Sequence, residues 1–240
     1  MRATSIKEQL RQLGNPAKAD HSAYFFKTGK GEYGEGDRFI GCTVPETRSV
    51  AKINRDTPLT ELEKLLADEM HECRLCALII LVEQFKQADG QKREVIVDFY
   101  LSHTTRINNW DLVDLSSYLI VGEWLKGKDD RTLLYRLAAS SLLWDQRIAV
   151  VSTMAFIRNN DFSDTLRLSE IFLTHKHDLM HKACGWMLRE VGKRDESTLT
   201  GFLESHCMVM PRTMLRYAIE RLSPEQKKKY MQRPARQTTI

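Results

Sequence analysis

The sequence predicts an all-α protein built of repeated helix pairs, and three observations support this. Nearly every long segment places apolar residues three and four positions apart, which is the spacing of one helix face. The 12 glycines and 6 prolines fall mostly between such segments. The two-residue alternation typical of strands is nearly absent. A chain of 240 residues that is 42% hydrophobic can also bury a substantial core.

The predicted helices cover most of the chain after Pro58, and a final helix begins near Pro211. Those between are predicted over residues 59–69, 72–88, 92–102, 111–125, 130–141, 144–158, 163–174, 178–192 and 196–205. We expect a single domain over residues 1–240, in which residues 229–240 form a frayed basic tail.

A short repeated pattern underlies these helices. The pattern of an Arg or His, any residue, two small residues and an apolar one recurs from Arg74, from Arg147 and from His181. The last two copies start 34 residues apart, and the first two start 73 apart, which leaves room for one further repeat. Repeats of about thirty to forty-five residues built of helix pairs indicate an α-solenoid of HEAT-like helical repeats. Stacked helix pairs form a curved array, and its concave face suits a long partner. We expect that concave face to be basic.

Composition restricts the class of protein further. The 36 basic and 32 acidic residues give a net charge of only +4, so the distribution of charge matters more than its sum. Five cysteines without framework spacing favour a reducing compartment, and Cys73 and Cys76 are interpreted as helix-packing residues because no second pair completes a zinc site. No segment approaches the roughly twenty apolar residues of a membrane span, and the N-terminus lacks a signal-peptide stretch. We therefore expect a cytoplasmic protein.

The glycine-rich segment, residues 28–45, departs from the helical pattern. It contains no phosphate-binding motif in the strand-to-helix context that such motifs require. We expect a loop that approaches another surface closely.

Trp110 and Asp114 form the first candidate site, since residues four apart lie on one face of a helix. A carboxylate beside an indole could stabilise a developing positive charge or position a water. The alternative is that Asp111 caps or starts the helix while Asp114 pairs with an arginine of a neighbouring repeat. No catalytic triad, Cys/His pair or two-metal spacing accompanies them, so we expect chemistry without metal, cofactor or covalent intermediate.

A basic stripe over residues 181–194 forms the second candidate site, and Trp144 and Arg147 lie three apart upstream of it. Cations around one flat aromatic group suit a nucleic-acid backbone. The alternative is a solvated face with the tryptophan packed against the next repeat. Its members, spaced by threes and fours, are Lys182, Trp186, Arg189 and Lys193.

Arg212 and Arg216 lie four apart on the final predicted helix. They either extend the phosphate-contacting stripe or pair with Glu220.

The order and spacing of Trp110–Asp114, Trp144–Arg147 and Lys182–Glu190 resemble those of the bacterial DNA alkylation repair family. That family consists of alkylpurine DNA glycosylases built of HEAT-like repeats. The resemblance covers nearly the whole chain, since Ala23–Phe25 and Thr43–Arg48 also match it.

The resemblance implies a role for each matching residue. Asp114 would be the catalytic carboxylate, and Trp110 and Trp186 would flank the deoxyribose of the lesion. Arg147 would hold the nearby DNA backbone, and Tyr24 would lie near the lesion. Further DNA contacts are expected from Lys182, Arg189, Lys193, Arg212 and Arg216.

The implied activity is hydrolysis of the N-glycosidic bond of N3- and N7-alkylated purines in duplex DNA by a monomer that needs no metal. One departure is Asn109, because some active members carry a second tryptophan there. Two alternatives stay open: a non-catalytic binder of damaged or branched DNA on the same scaffold, and a protein-interaction scaffold.

Overall fold

The regular elements of the protein are helices throughout the part of the chain that the computed structural model describes, residues 2–232. One isolated β-bridge joins Arg38 to Met70. The chain divides into two compact units, Met1–Trp124 and Leu125–Ile240. The fold class predicted from the sequence, all-α and solenoid-like, is confirmed. A single domain and a basic concave face stay predictions.

The first unit is organised around one long buried helix. Its helices are α1 (Ala3–Leu13), α2 (Pro16–Phe25), α3 (Val44–Ile53), α4 (Leu59–Leu66), α5 (His71–Gln87), α6 (Gly90–Ser102), α7 (Trp110–Ser117) and α8 (Glu123–Leu125). Helices α3, α4, α6 and α7 all pack against the 17-residue α5. Every residue from His71 to Val82 is buried, so α5 forms the core of this unit.

The second unit has a similar plan. Its helices are α9 (Thr132–Ala138), α10 (Leu143–Ser152), α11 (Met154–Ile157), α12 (Ser163–Ile171), α13 (Asp178–Arg194), α14 (Glu196–His206), α15 (Arg212–Ala218) and α16 (Pro224–Met231). The central helix is α13, also 17 residues long, against which α10, α12, α14 and α15 pack.

The predicted helices are found, with adjusted ends. The segment predicted as one helix over residues 111–125 comprises α7, a π-helical turn (Tyr118–Gly122) and α8. Helices α1, α2, α3 and α16 were not predicted. Helix α16 reaches Met231, so the expected frayed tail is wrong for its first residues, and residues 233–240 lie outside the described part.

The repeated sequence pattern marks the buried helices. Arg74, Arg147 and His181 lie near the starts of α5, α10 and α13 respectively. The small residues after each basic one, such as Ala77 and Ala183, are buried and allow neighbouring helices to approach. Cys73 and Cys76 are buried free thiols of α5, as the helix-packing interpretation predicted. None of the described helices is long and apolar enough to cross a membrane.

We predict that Gly185→Ala destabilises the protein by about 1–3 kcal/mol, the usual cost of overpacking. A Cβ at Gly185 would lie 2.5 Å from the carbonyl oxygen of Met214, so α13 and α15 would have to separate. Gly201 of α14 is the matched control, because a Cβ there meets nothing within 4 Å. Gly201→Ala should leave stability unchanged or raise it by up to about 1 kcal/mol. Chemical denaturation measures both, and equal effects would contradict the close approach.

Candidate functional site

Trp110 and Asp114 lie one turn apart on α7, and both side chains are partly exposed. Asn109 precedes the helix and is completely buried. Its Oδ1 accepts a hydrogen bond of 2.8 Å from the backbone N–H of Trp110, so Asn109 fixes the start of α7. The residue that departs from the family pattern therefore has a structural role in this chain.

An aromatic cluster supports the Trp110 indole. The ring of Phe26 stacks on Trp110 with a centroid distance of 5.5 Å, and Phe25 meets Trp110 edge-on at 6.0 Å. Phe26 also stacks on Phe39 at 5.3 Å, and Phe39 stacks on the His71 imidazole at 4.8 Å. Stacked and edge-on ring pairs stabilise by about 0.5–1.5 kcal/mol beyond their burial. The indole consequently has a fixed support rather than a free rotamer.

A buried charge network lies behind this cluster. Asp37 accepts hydrogen bonds from Arg74 Nη2 at 2.5 Å and from Asn109 Nδ2 at 3.1 Å. His71 Nδ1 lies 3.3 Å from Asp37 Oδ2, and His71 Nε2 lies 2.8 Å from Asp111 Oδ2. The network joins the glycine-rich segment, α5 and the first turn of α7. Two carboxylates face two cations, so the buried group has no net charge when His71 is protonated.

The protonation of His71 follows from its neighbours. Burial lowers the pKa of His71, but the nearby Asp111 carboxylate and the hydrogen bonds to Asp111 and Asp37 raise it to about 9. Burial raises the pKa of Asp37, yet hydrogen bonds from His71 and Asn109 and the Arg74 charge hold it below its ordinary value. His71 is therefore protonated and Asp37 is ionised near neutral pH.

The glycine-rich segment is fastened to α5 at a second point. The Glu72 carboxylate accepts hydrogen bonds from the backbone N–H groups of Ile40 (2.9 Å), Gly41 (2.7 Å) and Cys42 (3.2 Å). Gly41 has a φ of +90°, and a Cβ there would lie 2.0 Å from the carbonyl oxygen of Asn15. The prediction of a loop that closely approaches another surface is confirmed.

A cavity of about 440 Å³ opens beside the network in the first unit. Its wall combines aromatic rings with charged and polar groups, including Lys18, His21, Phe26, Phe39, His71 and Asp111. No group of three or more His, Cys, Asp or Glu side chains in the described residues could hold a metal ion.

In the second unit the predicted basic stripe lies on α13, but carboxylates pair with its cations. Lys182 pairs with Asp178 at 2.8 Å, and Lys193 pairs with Glu190 at 2.7 Å. Arg189 contacts both Glu190 and Glu220. These pairs offset much of the positive charge that the sequence pattern indicated.

The two arginines of α15 differ from that stripe. Arg212 and Arg216 are exposed, and Glu220, with which they were alternatively expected to pair, contacts Arg189 instead. Arg212 donates to the carbonyl oxygen of Met231 at 3.3 Å. Arg216 is exposed and contacts no carboxylate within the described residues.

The remaining predicted site residues have contrasting environments. Tyr24 is 87% exposed at the end of α2, next to Phe25. Trp186 is partly exposed on α13. Arg147 is buried, and its Nη1 donates to the carbonyl oxygen of Leu179 at 2.5 Å, joining α10 to α13. Their roles towards DNA stay predictions.

The sequence missed the residues that fix α7. The alternative interpretation expected Asp111 to cap or start the helix. Asp111 does lie in the first turn of α7, but the N-cap residue is Asn109, and Asp111 pairs with His71. Asp37 and His71 received no role at all. The available signal was that three polar residues, His71, Glu72 and Arg74, directly precede the apolar run Leu75–Val82.

Comparisons with known proteins agree with this architecture. A family model described as "DNA alkylation repair enzyme" matches residues 6–222. A solved structure, described as a predicted DNA alkylation repair enzyme from Enterococcus faecalis, superposes with a TM-score of 0.67 at 16% sequence identity. The match covers 88% of this chain and 98% of that one. No curated protein sequence matches the chain.

The fold and the family match define a helical protein of DNA repair. The chain belongs to the DNA alkylation repair enzyme family.

We predict that the contacts of protonated His71 with Asp37 and Asp111 stabilise the protein less as the pH rises into the alkaline range. The pKa of His71 is about 9 in the folded protein and 6.5 ordinarily. The contribution of His71 to the free energy of unfolding is therefore complete below pH 6.5 and is lost as the pH rises through about 9. The shift corresponds to a contribution on the order of 3 kcal/mol. Urea denaturation at pH 6.5 and pH 9.5 should show a larger fall in wild type than in His71→Asn. Equal falls would show that His71 does not titrate in this way.

Proposed function

We propose that the protein is a monofunctional DNA glycosylase that hydrolyses the N-glycosidic bond of N3- and N7-alkylated purines in duplex DNA. The observation that carries the proposal is the pairing of Trp110 and Asp114 on one face of α7. The indole is supported from behind by Phe25 and Phe26, and both members of the pair reach the surface. Family membership supports the same assignment.

The chemistry fits the residues present. A cationic alkylpurine is already a good leaving group, so the enzyme need not protonate it. The group that requires stabilisation is the deoxyribose, which acquires oxocarbenium character as the bond breaks. Asp114 supplies a negative charge to that sugar, and the Trp110 ring face attracts a cation. The carboxylate also positions the water that completes the hydrolysis.

Other residues are proposed to bind the DNA itself. The exposed Tyr24 is assigned to the region of the lesion. In the second unit we propose that Trp186 contacts the DNA, and by resemblance to the family Arg147, although buried against Leu179, is assigned to the DNA backbone. Phosphate contacts are assigned to Lys182, Arg189, Lys193, Arg212 and Arg216.

We predict that Asp114→Asn lowers the excision rate at least about a hundredfold, the usual effect of removing one electrostatic group from an active site. The substitution keeps the shape of the side chain and removes its charge. Release of 7-methylguanine and 3-methyladenine from methylated duplex DNA is measured by chromatography under single-turnover conditions. Asp129→Asn is the control, because Asp129 is exposed and distant in sequence from α7.

Three outcomes would contradict the proposal. Equal release by Asp114→Asn and wild type would remove the assigned role of the carboxylate. If excess wild-type protein releases no base yet binds duplex DNA with steep salt dependence, the protein is a non-catalytic DNA binder. Absence of salt-dependent DNA binding would favour a protein-interaction scaffold.

We predict that Arg216→Ala changes the salt dependence of DNA binding more than Arg189→Ala. The charge of Arg216 faces solvent, whereas Arg189 contacts Glu190 and Glu220. Loss of one phosphate contact should reduce the slope of log K against log salt by about 0.9. Fluorescence anisotropy between low and moderate salt measures the slopes. Identical slopes for the two variants would show that the ion pairs of Arg189 do not limit its contact with DNA.

A further inference from the structure

We propose that His71 is a positioning residue that fixes the Trp110 indole for the proposed reaction by holding Asp111 through its Nε2–H group. His71 is buried, so in this proposal it acts through α7 and not by touching the DNA. The inference rests on the proposed function for its kinetic consequence. Its structural consequence can be measured separately.

The first step is that both neighbours of Trp110 in the sequence belong to the buried network. Asn109 donates to Asp37 at 3.1 Å and accepts from the Trp110 backbone at 2.8 Å. On the other side, Asp111 faces His71 Nε2 at 2.8 Å. The backbone of Trp110 is thus fixed on both sides. The contacts of Asn109 lead to Asp37 and those of Asp111 lead to His71, and Asp37 and His71 contact each other.

The second step is that Asp111 depends on His71. The Oδ1 atom of Asp111 is buried and accepts no hydrogen bond within the described residues. Its Oδ2 atom faces His71. Asp37, in contrast, also receives hydrogen bonds from Arg74 and Asn109. Removing the Nε2–H group would leave a largely buried carboxylate without a donor, which costs more than an exposed group would lose.

The third step is that the His71 ring supports the indole through the aromatic cluster as well. Phe26 lies against both rings, with centroids 5.1 Å from His71 and 5.5 Å from Trp110. A change in the His71 ring therefore reaches Trp110 by two routes, one through the backbone of α7 and one through Phe26. Misplacement of a reacting group by 1 Å can lower a rate about a hundredfold.

The charged surroundings of His71 decide how it responds to pH. The carboxylates of Asp37 and Asp111 favour the imidazolium, which is the one form that donates from both nitrogens. The ionisable groups that face the ring or its cavity are Asp37 and Cys42 on the glycine-rich segment, Arg74 and Glu72 on α5, Asp111 on α7, and Lys18 and His21 on α2. Loss of the proton would weaken one of the two carboxylate contacts.

The test uses two variants that each keep one nitrogen position. The amide of His71→Gln extends to the place of Nε2 and can still donate to Asp111. The amide of His71→Asn lies near the place of Nδ1 and can donate only towards Asp37. A role limited to packing or general stability predicts similar behaviour for the two, since both lose the ring and the charge.

The kinetic measurement is single-turnover excision of 7-methylguanine, beside the dissociation constant for the same duplex. We expect His71→Asn to reduce the rate at least about tenfold with the dissociation constant nearly unchanged, and His71→Gln to recover most of the rate. Equal rates for the two variants would overturn the proposal.

The structural measurement is ¹⁹F NMR of protein labelled with fluorotryptophan, in which Trp110→Phe identifies the Trp110 resonance. In wild type this resonance should shift with a midpoint near pH 9, the pKa of His71. The shift should vanish in both variants, and the His71→Asn resonance should move from the wild-type position further than that of His71→Gln. If wild type excises no base, the proposed function fails, but this NMR measurement still tests the positioning role of His71. A Trp110 resonance that changes neither with pH nor in either variant would overturn the positioning role.

Discussion

Two carboxylates and two cations are buried together where the glycine-rich segment meets α5 and α7. Unpaired buried charges are costly, so Asp37, His71, Arg74 and Asp111 are compatible with folding only as a set. Removing one of the four would leave a buried charge without its partner, which would destabilise the fold. The set thereby fixes where the glycine-rich segment, α5 and α7 meet. As a result, the first turn of α7 has one favourable position.

The candidate site inherits its geometry from this constraint. Trp110 lies between Asn109, which donates a hydrogen bond to Asp37 of this set, and Asp111, which is a member of it. The side chain of Trp110 then packs on Phe26, which also stacks on Phe39 of the glycine-rich segment. Asp114 follows one helical turn later, before the π-helical turn Tyr118–Gly122. Such turns are frequent near functional sites because they redirect a helix without ending it.

The fold was predictable because it depends on local periodicity. Apolar spacing identified α5, α6, α12, α13 and α14 almost to their ends, and turn residues marked the boundaries between them. Helix α2 was not predicted, because Pro16–Phe25 buries no residue and so has no apolar stripe.

The candidate site was predictable only in part. Trp110 and Asp114 share a helix, so their spacing revealed them, and the resemblance to a family supplied their roles. The network behind them joins residues 34 to 72 positions apart in the chain, such as His71 with Asp37 and Asn109 with Asp37. No local pattern shows such pairings. The same limit applies to α13, whose cations formed a stripe in sequence while a distant carboxylate, Glu220, faced Arg189.

The central claim is that the surface of Trp110 and Asp114 stabilises a positively charged deoxyribose. The most direct measurement compares the affinity of the protein for two duplexes, one with a cationic pyrrolidine sugar analogue and one with a neutral tetrahydrofuran analogue. A site complementary to the transition state binds its charged mimic more tightly. We expect wild type to favour the cationic duplex at least about tenfold, and Asp114→Asn to lose that preference. Equal affinity of wild type for the two duplexes would contradict the account.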